Sequence, residues 1–185
     1  MTLSSSAMNK NAVYLVGFMG CGKTTVGQLL AQRLAWRFVD LDEQIEQSKG
    51  CTIAEIFAQA GEAPFREIEH EALRRIVEES SRGGGRVVAL GGGTFVQPQN
   101  VELLNRAGAV TIWLDCSVEQ LLLRCALVTN RPLFRDETSF RELYASRLPF
   151  YQKATYSVPS GEAEPGEVVN RILALKLFEG LACCN

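Results

Sequence analysis

Residues 17–24 read Gly-Phe-Met-Gly-Cys-Gly-Lys-Thr, and no other stretch constrains the fold of this chain as strongly. Gly17, Gly22, Lys23 and Thr24 match the pattern of a phosphate-cradling loop, in which glycines turn backbone N–H groups inward at the start of a helix. The motif needs a strand before it and a helix after it, and both are legible. Residues 12–16 form a short, nearly all-apolar run suited to a strand buried on both faces, and residues 23–34 place Val26, Leu29, Leu30 and Leu34 on one helical face. In that setting Lys23 is expected to neutralise the β- and γ-phosphates of a nucleoside triphosphate, with the Thr24 hydroxyl on magnesium. The competing account, a glycine turn with Lys23 solvated, is disfavoured by the flanking pattern. The loop alone does not choose among a kinase, a GTPase and a motor.

The alternation continues along the chain. Phe38 and Val39 read as a short strand before Asp40, and Thr52 can cap a helix carrying Ile53, Ile56 and Phe57. Residues 64–79 open with a proline at a plausible first helical position and put Phe65, Ile68, Ala72, Leu73 and Ile76 on one side. Strands are expected at 86–90, 109–114 and 155–158, and helices at 117–126, 141–151 and 166–178. Such alternation predicts a three-layer α/β/α fold around a central, five-stranded parallel sheet. No internal repeat appears, and residues 80–85 read as a loop between elements. With 185 residues, 46% of them hydrophobic, the chain is expected to form one domain over 1–185, with flexible ends at 1–11 and 180–185.

Charge narrows the partners. Nineteen basic against 21 acidic residues give a net charge of -2, which leaves no broad basic field for nucleic acid. No apolar run approaches the roughly 20 residues of a membrane span, and the first residues lack the apolar segment of a secretory signal. Six cysteines without a CxxC pair, and His70 as the single histidine, argue against structural zinc and for a reducing cytoplasm. Cys183 and Cys184 fall in the expected frayed end.

A second group of residues points to an acceptor. Asp40 and Asp42 follow the second strand as Asp-Leu-Asp, so both carboxylates are expected near the carboxyl edge of the sheet, where open α/β folds bind ligands. One could hold a magnesium-bound water while the other accepts a hydrogen bond from a substrate hydroxyl. Alternatively, Asp42 could simply cap a helix over 43–48. Arg66 and Glu69, three apart, could form an ordinary surface ion pair. Gly91, Gly92 and Gly93 directly follow a strand, which suggests close approach by a ligand, or else a flexible turn. Arg124, Arg131 and Arg135 form the densest arginine region outside a helix face, and could serve a closing loop over a triphosphate or a solvated one. Arg147 by itself reads as a helix-end charge.

In order and spacing these segments together resemble the shikimate kinase family, from about residue 13 to about 177. The resemblance rests on 17–24, Asp-Leu-Asp at 40–42, Gly61-Glu62 with Phe65, Arg66 and Glu69, Leu-Gly-Gly-Gly at 90–93, Arg-Pro-Leu at 131–133, and Arg147 with Pro149 and Tyr151. It implies a P-loop kinase fold with a substrate-binding insertion near 41–75 and a lid near 127–138. It further implies transfer of the ATP γ-phosphoryl group to the 3-hydroxyl of shikimate in the route to aromatic amino acids, with magnesium as cofactor and a cytoplasmic, monomeric enzyme. By the same resemblance, Asp42, Arg66, Arg147 and the glycines 91–93 bind shikimate. Glu69 orients Arg66, while Phe57 and Phe65 wall the ring. Lys23, Asp42 and Arg131 are the implied catalytic residues. Gly20, Cys21, Gly22, Lys23, Thr24, Thr25, Arg124, Arg131 and Pro165 are the implied nucleotide contacts, with Arg124 stacking on adenine and residues 158–166 forming the adenine-side loop. Thr24, and Asp40 through water, are the implied metal ligands.

The third strand ends in glycine rather than the acid common in P-loop proteins, a departure the family shares and one consistent with Asp40 serving the metal. Phe95 and residues 159–164 look individual to this chain. Two rival readings remain: a kinase for another small hydroxy acid such as gluconate, and a nucleotide-binding paralogue without turnover.

Overall fold

The computed structural model describes residues 9–126 and 136–178. Its sheet is built from β1 (Asn9–Val16), β2 (Arg37–Asp40), β3 (Arg86–Ala89), β4 (Ala109–Asp115) and β5 (Tyr156–Pro159). All neighbours are parallel, in the order β2-β3-β1-β4-β5. Parallel pairing forces crossover connections. Helices supply them: α1 (Lys23–Leu34) between β1 and β2, α2 (Leu41–Lys49), α3 (Ile53–Ala60) and α4 (Glu62–Ser81) between β2 and β3, and α5 (Pro98–Arg106) between β3 and β4. Helices α6 (Val118–Ala126) and α7 (Glu137–Tyr151) precede β5, and α8 (Pro165–Leu173) follows it. Helix α1 packs on β3 and α8, while α4 packs on β1 and α5 on β4, which makes the three-layer arrangement the alternating sequence predicts.

The strands carry the centre of the core because burial on both faces demands continuous apolar runs. Leu15, Val87, Val88 and Ile112 are wholly buried, joined by Leu30 of α1, Leu73 of α4 and Ile172 of α8. Each such side chain contributes about 1.5–3 kcal/mol by leaving water. Since β1 lies between β3 and β4, its carboxyl end sits where the chain departs to opposite sides, the position at which open α/β sheets form a ligand crevice.

Several boundaries differ from the sequence expectation. Strand β1 starts at Asn9, inside the expected tail, where Asn9 pairs with Ala109 ahead of a register irregularity. Helix α4 starts two residues before Pro64, which a first helical turn tolerates because its N–H groups have no intrahelical partner. Helix α7 begins at Glu137 because the Asp136 carboxylate accepts from Ser139 N at 2.7 Å. Helix α8 ends at Leu173, short of the expected 178. Helix α5 and the short 3-10 turn Thr94–Val96 were not anticipated, although Pro98 at the first helical position was a usable start signal. Thr52 caps α3 as expected, and the structure adds the reciprocal half of a capping box, with Glu55 N donating to Thr52 Oγ1 at 3.2 Å and Thr52 N to Glu55 Oε2 at 2.7 Å. Residues 127–135, most of the expected lid, lie outside the described residues, as do 1–8 and 179–185 with Cys183 and Cys184. Among the described residues no helix is long and apolar enough to cross a membrane.

Candidate active site

The loop between β1 and α1 is shaped to receive anions. Gly22 caps α1 in a left-handed conformation at φ 96°, and no side chain occupies the helix start, so its leading N–H groups face outward without a competing acceptor. The Lys23 ammonium folds over this loop and donates to the carbonyls of Gly17 and Phe18, both at 2.9 Å. Beside it lies a cavity of about 620 Å³, lined by Gly20, Cys21, Gly22, Thr25, Arg124 and Pro165 among others. That volume falls within the ordinary range for a small-molecule site. Arg124 reaches from α6 to donate to Gly20 O at 3.4 Å, Ser160 O at 3.1 Å and Gly161 O at 2.6 Å. One guanidinium thereby ties α6 to the phosphate loop and to the segment after β5. Gln120, which also lines the cavity, escaped the sequence reading, although it lies one turn from Arg124 on the same helical face.

Asp40 ends β2 and meets the loop from the other side. Its Oδ2 accepts from Thr24 Oγ1 at 2.9 Å, while Oδ1 accepts from Asp42 N at 3.1 Å and Glu43 N at 3.4 Å. Asp40, and not Asp42, is therefore the N-cap of α2. The cap fixes the Asp40 carboxylate next to the Thr24 hydroxyl, an all-oxygen pair of the kind a hard divalent cation accepts. Among the described residues no cluster of three or more His, Cys, Asp or Glu could hold a metal by itself. Protein oxygens here fit magnesium that arrives with phosphates.

Freed from capping, Asp42 turns toward the glycine run after β3. A Cβ built on Gly91 would stand 2.5 Å from Asp42 Oδ1, so only glycine leaves room for that carboxylate. Burial pushes the Asp42 carboxyl up to about 6, with the Asp40 charge adding to the rise and the Lys23 ammonium opposing it. Arg66, from α4, occupies the equivalent place over Gly93, where a Cβ would meet its Nη2 at 2.7 Å. Arg147, from α7, has a guanidinium nitrogen 3.5 Å from the Cβ position of Gly92 and stacks its charge over the Phe18 ring at 5.6 Å. Tyr151, one turn on, donates its hydroxyl to Gly92 O at 2.5 Å.

Burial and position decide the alternatives left open by the sequence. Arg66 Nη1 donates to Glu69 Oε2 at 2.9 Å, and Glu69 is 1% exposed, so this is no solvated surface pair. Arg147 is not in the last turn of α7, where a helix-end charge would sit, and faces the glycine run instead. The glycines are a floor over which Asp42, Arg66 and Arg147 converge, rather than a flexible turn. Phe57 and Phe65 lie 4.5 Å apart, but Phe65 is buried and Arg66 covers its ring at 5.3 Å, so of the two Phe57 presents the free surface. Arg131 lies outside the described residues.

A family model described as shikimate kinase matches residues 19–176 of this chain. The chain is 38% identical over 162 residues to the shikimate kinase of Persephonella marina, covering 87% of this chain and 96% of that protein. Its fold is similar to that of shikimate kinase from Acinetobacter baumannii in complex with shikimate, with a TM-score of 0.82 and 35% identity over 93% of this chain and 96% of that one. A gluconokinase from Sinorhizobium meliloti gives a TM-score of 0.59 at 20% identity over 94% and 97% of the two chains, a likeness of fold alone.

Proposed function

Since this chain belongs to the shikimate kinase family, we propose that it transfers the γ-phosphoryl group of ATP to the 3-hydroxyl of shikimate, giving shikimate 3-phosphate and ADP. The observation that carries this reading is the convergence of one carboxylate and two guanidinium groups on residues 91–93, beside the phosphate loop. Arg66 and Arg147 would hold the acceptor carboxylate through paired hydrogen bonds. Asp42 would accept the hydrogen bond of the attacking hydroxyl and lies where its proton would go. A bond forms from that oxygen to the γ-phosphorus as the bond to the bridging oxygen of ADP breaks, and Lys23 with Arg131 would stabilise the phosphoryl oxygens. Thr24, and Asp40 through water, would hold magnesium, which supplies neutralisation of the phosphate charge when bound.

The cavity around Gly20, Thr25, Arg124 and Pro165 would take the adenine nucleoside. Among the described residues, the thiols Cys21, Cys51, Cys116 and Cys125 form no disulfide, which with the demand for ATP supports a cytoplasmic setting.

The test is ADP release by the purified protein with magnesium, ATP and either shikimate or gluconate. Release that depends on shikimate is expected. Equal or greater release with gluconate, or nucleotide binding with no acceptor-dependent release, overturns the reading. A finer check is Gly93→Ala. A Cβ there displaces Arg66, and since about 1 Å of misplacement can cost on the order of a hundredfold, the shikimate KM should rise at least about tenfold while the ATP KM holds. An unchanged shikimate KM would remove Arg66 from acceptor binding.

A further inference from the structure

The Arg66–Glu69 pair is the end of a longer buried chain. Glu69 has both oxygens engaged: Oε2 accepts from Arg66 Nη1 at 2.9 Å, and Oε1 accepts from Thr94 Oγ1 at 2.7 Å. Thr94 is wholly buried, and so is Asn100, whose Nδ2 donates to the Thr94 carbonyl at 3.0 Å. That carbonyl can only accept, so the Asn100 amide must present Oδ1 to His70 Nδ1, 2.7 Å away, and His70 must carry its proton on Nδ1. Thr94 also anchors itself to the glycine run, since its N–H donates to Gly91 O at 3.1 Å. One residue thus touches the acceptor floor with its backbone and the Glu69 carboxylate with its hydroxyl.

We propose that Thr94 is a positioning residue for recognition of the acceptor's carboxylate, acting through Glu69 on Arg66. This rests on the assignment of Arg66 to that carboxylate. A buried carboxylate held by a donor on each oxygen cannot swivel; with Arg66 as its single partner it can, and the guanidinium follows it. Arg66 has a second partner, Glu62, through Nε and Nη2, but Glu62 is 67% exposed and holds it only weakly. The inner contact therefore sets the angle at which the arginine fork meets a ligand. Asn100 and His70 extend the same support by fixing the Thr94 backbone, which lets the hydroxyl point one way only. Nothing in the motif spacing shows this, because Thr94 lies 25 residues from Glu69 in the chain.

The experiment compares wild type with Thr94→Val, which keeps shape but removes the donor, and Thr94→Ser, which keeps it. For Thr94→Val the shikimate KM should rise about five- to tenfold, as expected for a lost hydrogen bond to a charged group, with kcat and the ATP KM within about twofold. The preference for shikimate over its methyl ester should shrink in parallel. Thr94→Ser should retain the wild-type KM, and in an Arg66→Ala background Thr94→Val should change nothing further. A wild-type shikimate KM in Thr94→Val, a parallel rise in the ATP KM, or a Ser variant as impaired as Val overturns the proposal. If the valine variant does not fold, Thr94→Cys replaces it: its weak S–H donor should give an intermediate KM, and an unchanged one overturns the proposal. A wild-type protein that turns over shikimate while Thr94→Val is unaffected refutes the positioning role alone. A wild-type protein with no shikimate-dependent turnover refutes the assigned function and, with it, the positioning role.

Discussion

Lys23→Met lowers kcat by on the order of a thousandfold, the loss expected when one preorganised charge is removed from a phosphoryl-transfer site. The ammonium rests on the carbonyls of Gly17 and Phe18, 2.9 Å from each. Nucleotide binding would exchange those neutral acceptors for phosphate oxygens, a stronger interaction that grows as charge develops on the transferred group. Methionine keeps most of the length and the apolar stem of the side chain and removes the charge with its N–H donors. Shikimate binding, followed by calorimetry, should stay within about threefold of wild type, because the side chains proposed to hold the acceptor come from α2, α4 and α7 and lie over the glycine run instead. Turnover above about a tenth of wild type in coupled ADP release would take Lys23 out of the reaction.

Asp42→Asn should be nearly as severe for a different reason. The amide fits the space over Gly91 that the carboxylate now fills, so the local packing is kept. What is lost is an ionised acceptor for the attacking hydroxyl. Burial lifts the Asp42 carboxyl to about 6, yet at pH 8 it is ionised, and the comparison should be made there. We expect kcat to fall by about a hundredfold, the usual contribution of a positioned proton acceptor, with the shikimate KM changed only a few-fold. A kcat within twofold of wild type would mean that the hydroxyl needs no help from this residue. Lys23→Met and Asp42→Asn thus test opposite halves of the same site, one at the phosphate and one at the acceptor.

Much of the architecture is legible in the sequence because its periodicities are unambiguous. Apolar runs such as Val13 to Val16 have one sensible fate in a parallel sheet, and the glycines of the phosphate loop announce a turn followed by a helix. Legibility ends where a segment is short or its role depends on distant neighbours. Helix α5 is less legible because its apolar residues, Val101, Leu103 and Leu104, fall within a single turn, which leaves Pro98 as its start signal. The start of β1 was misplaced because Asn9, Lys10 and Asn11 carry no apolar signal, and pairing with β4 alone makes Asn9 a strand residue. On paper Asp42 could cap the following helix or face an acceptor, and nothing marks Asp40 as the cap. The 2.9 Å contact with Thr24 and the crowding at Gly91 separate them in space.

By itself the sequence determined the handling of a triphosphate, since eight contiguous residues carry the loop, the lysine and the hydroxyl, and local backbone geometry follows from them. Family resemblance added the acceptor. Tertiary structure decided what the isolated charges mean. Arg66 and Glu69 read better as a solvated pair until α4 is packed against the turn after β3, where burial leaves the carboxylate dependent on its two donors. Arg147 reads as a helix-end charge until α7 lays it over Gly92. Thr94 carries no motif at all. A side chain's chemistry is local, but whether it is buried, and which donor it faces, is set by elements far apart in the chain, and only the folded protein brings those together.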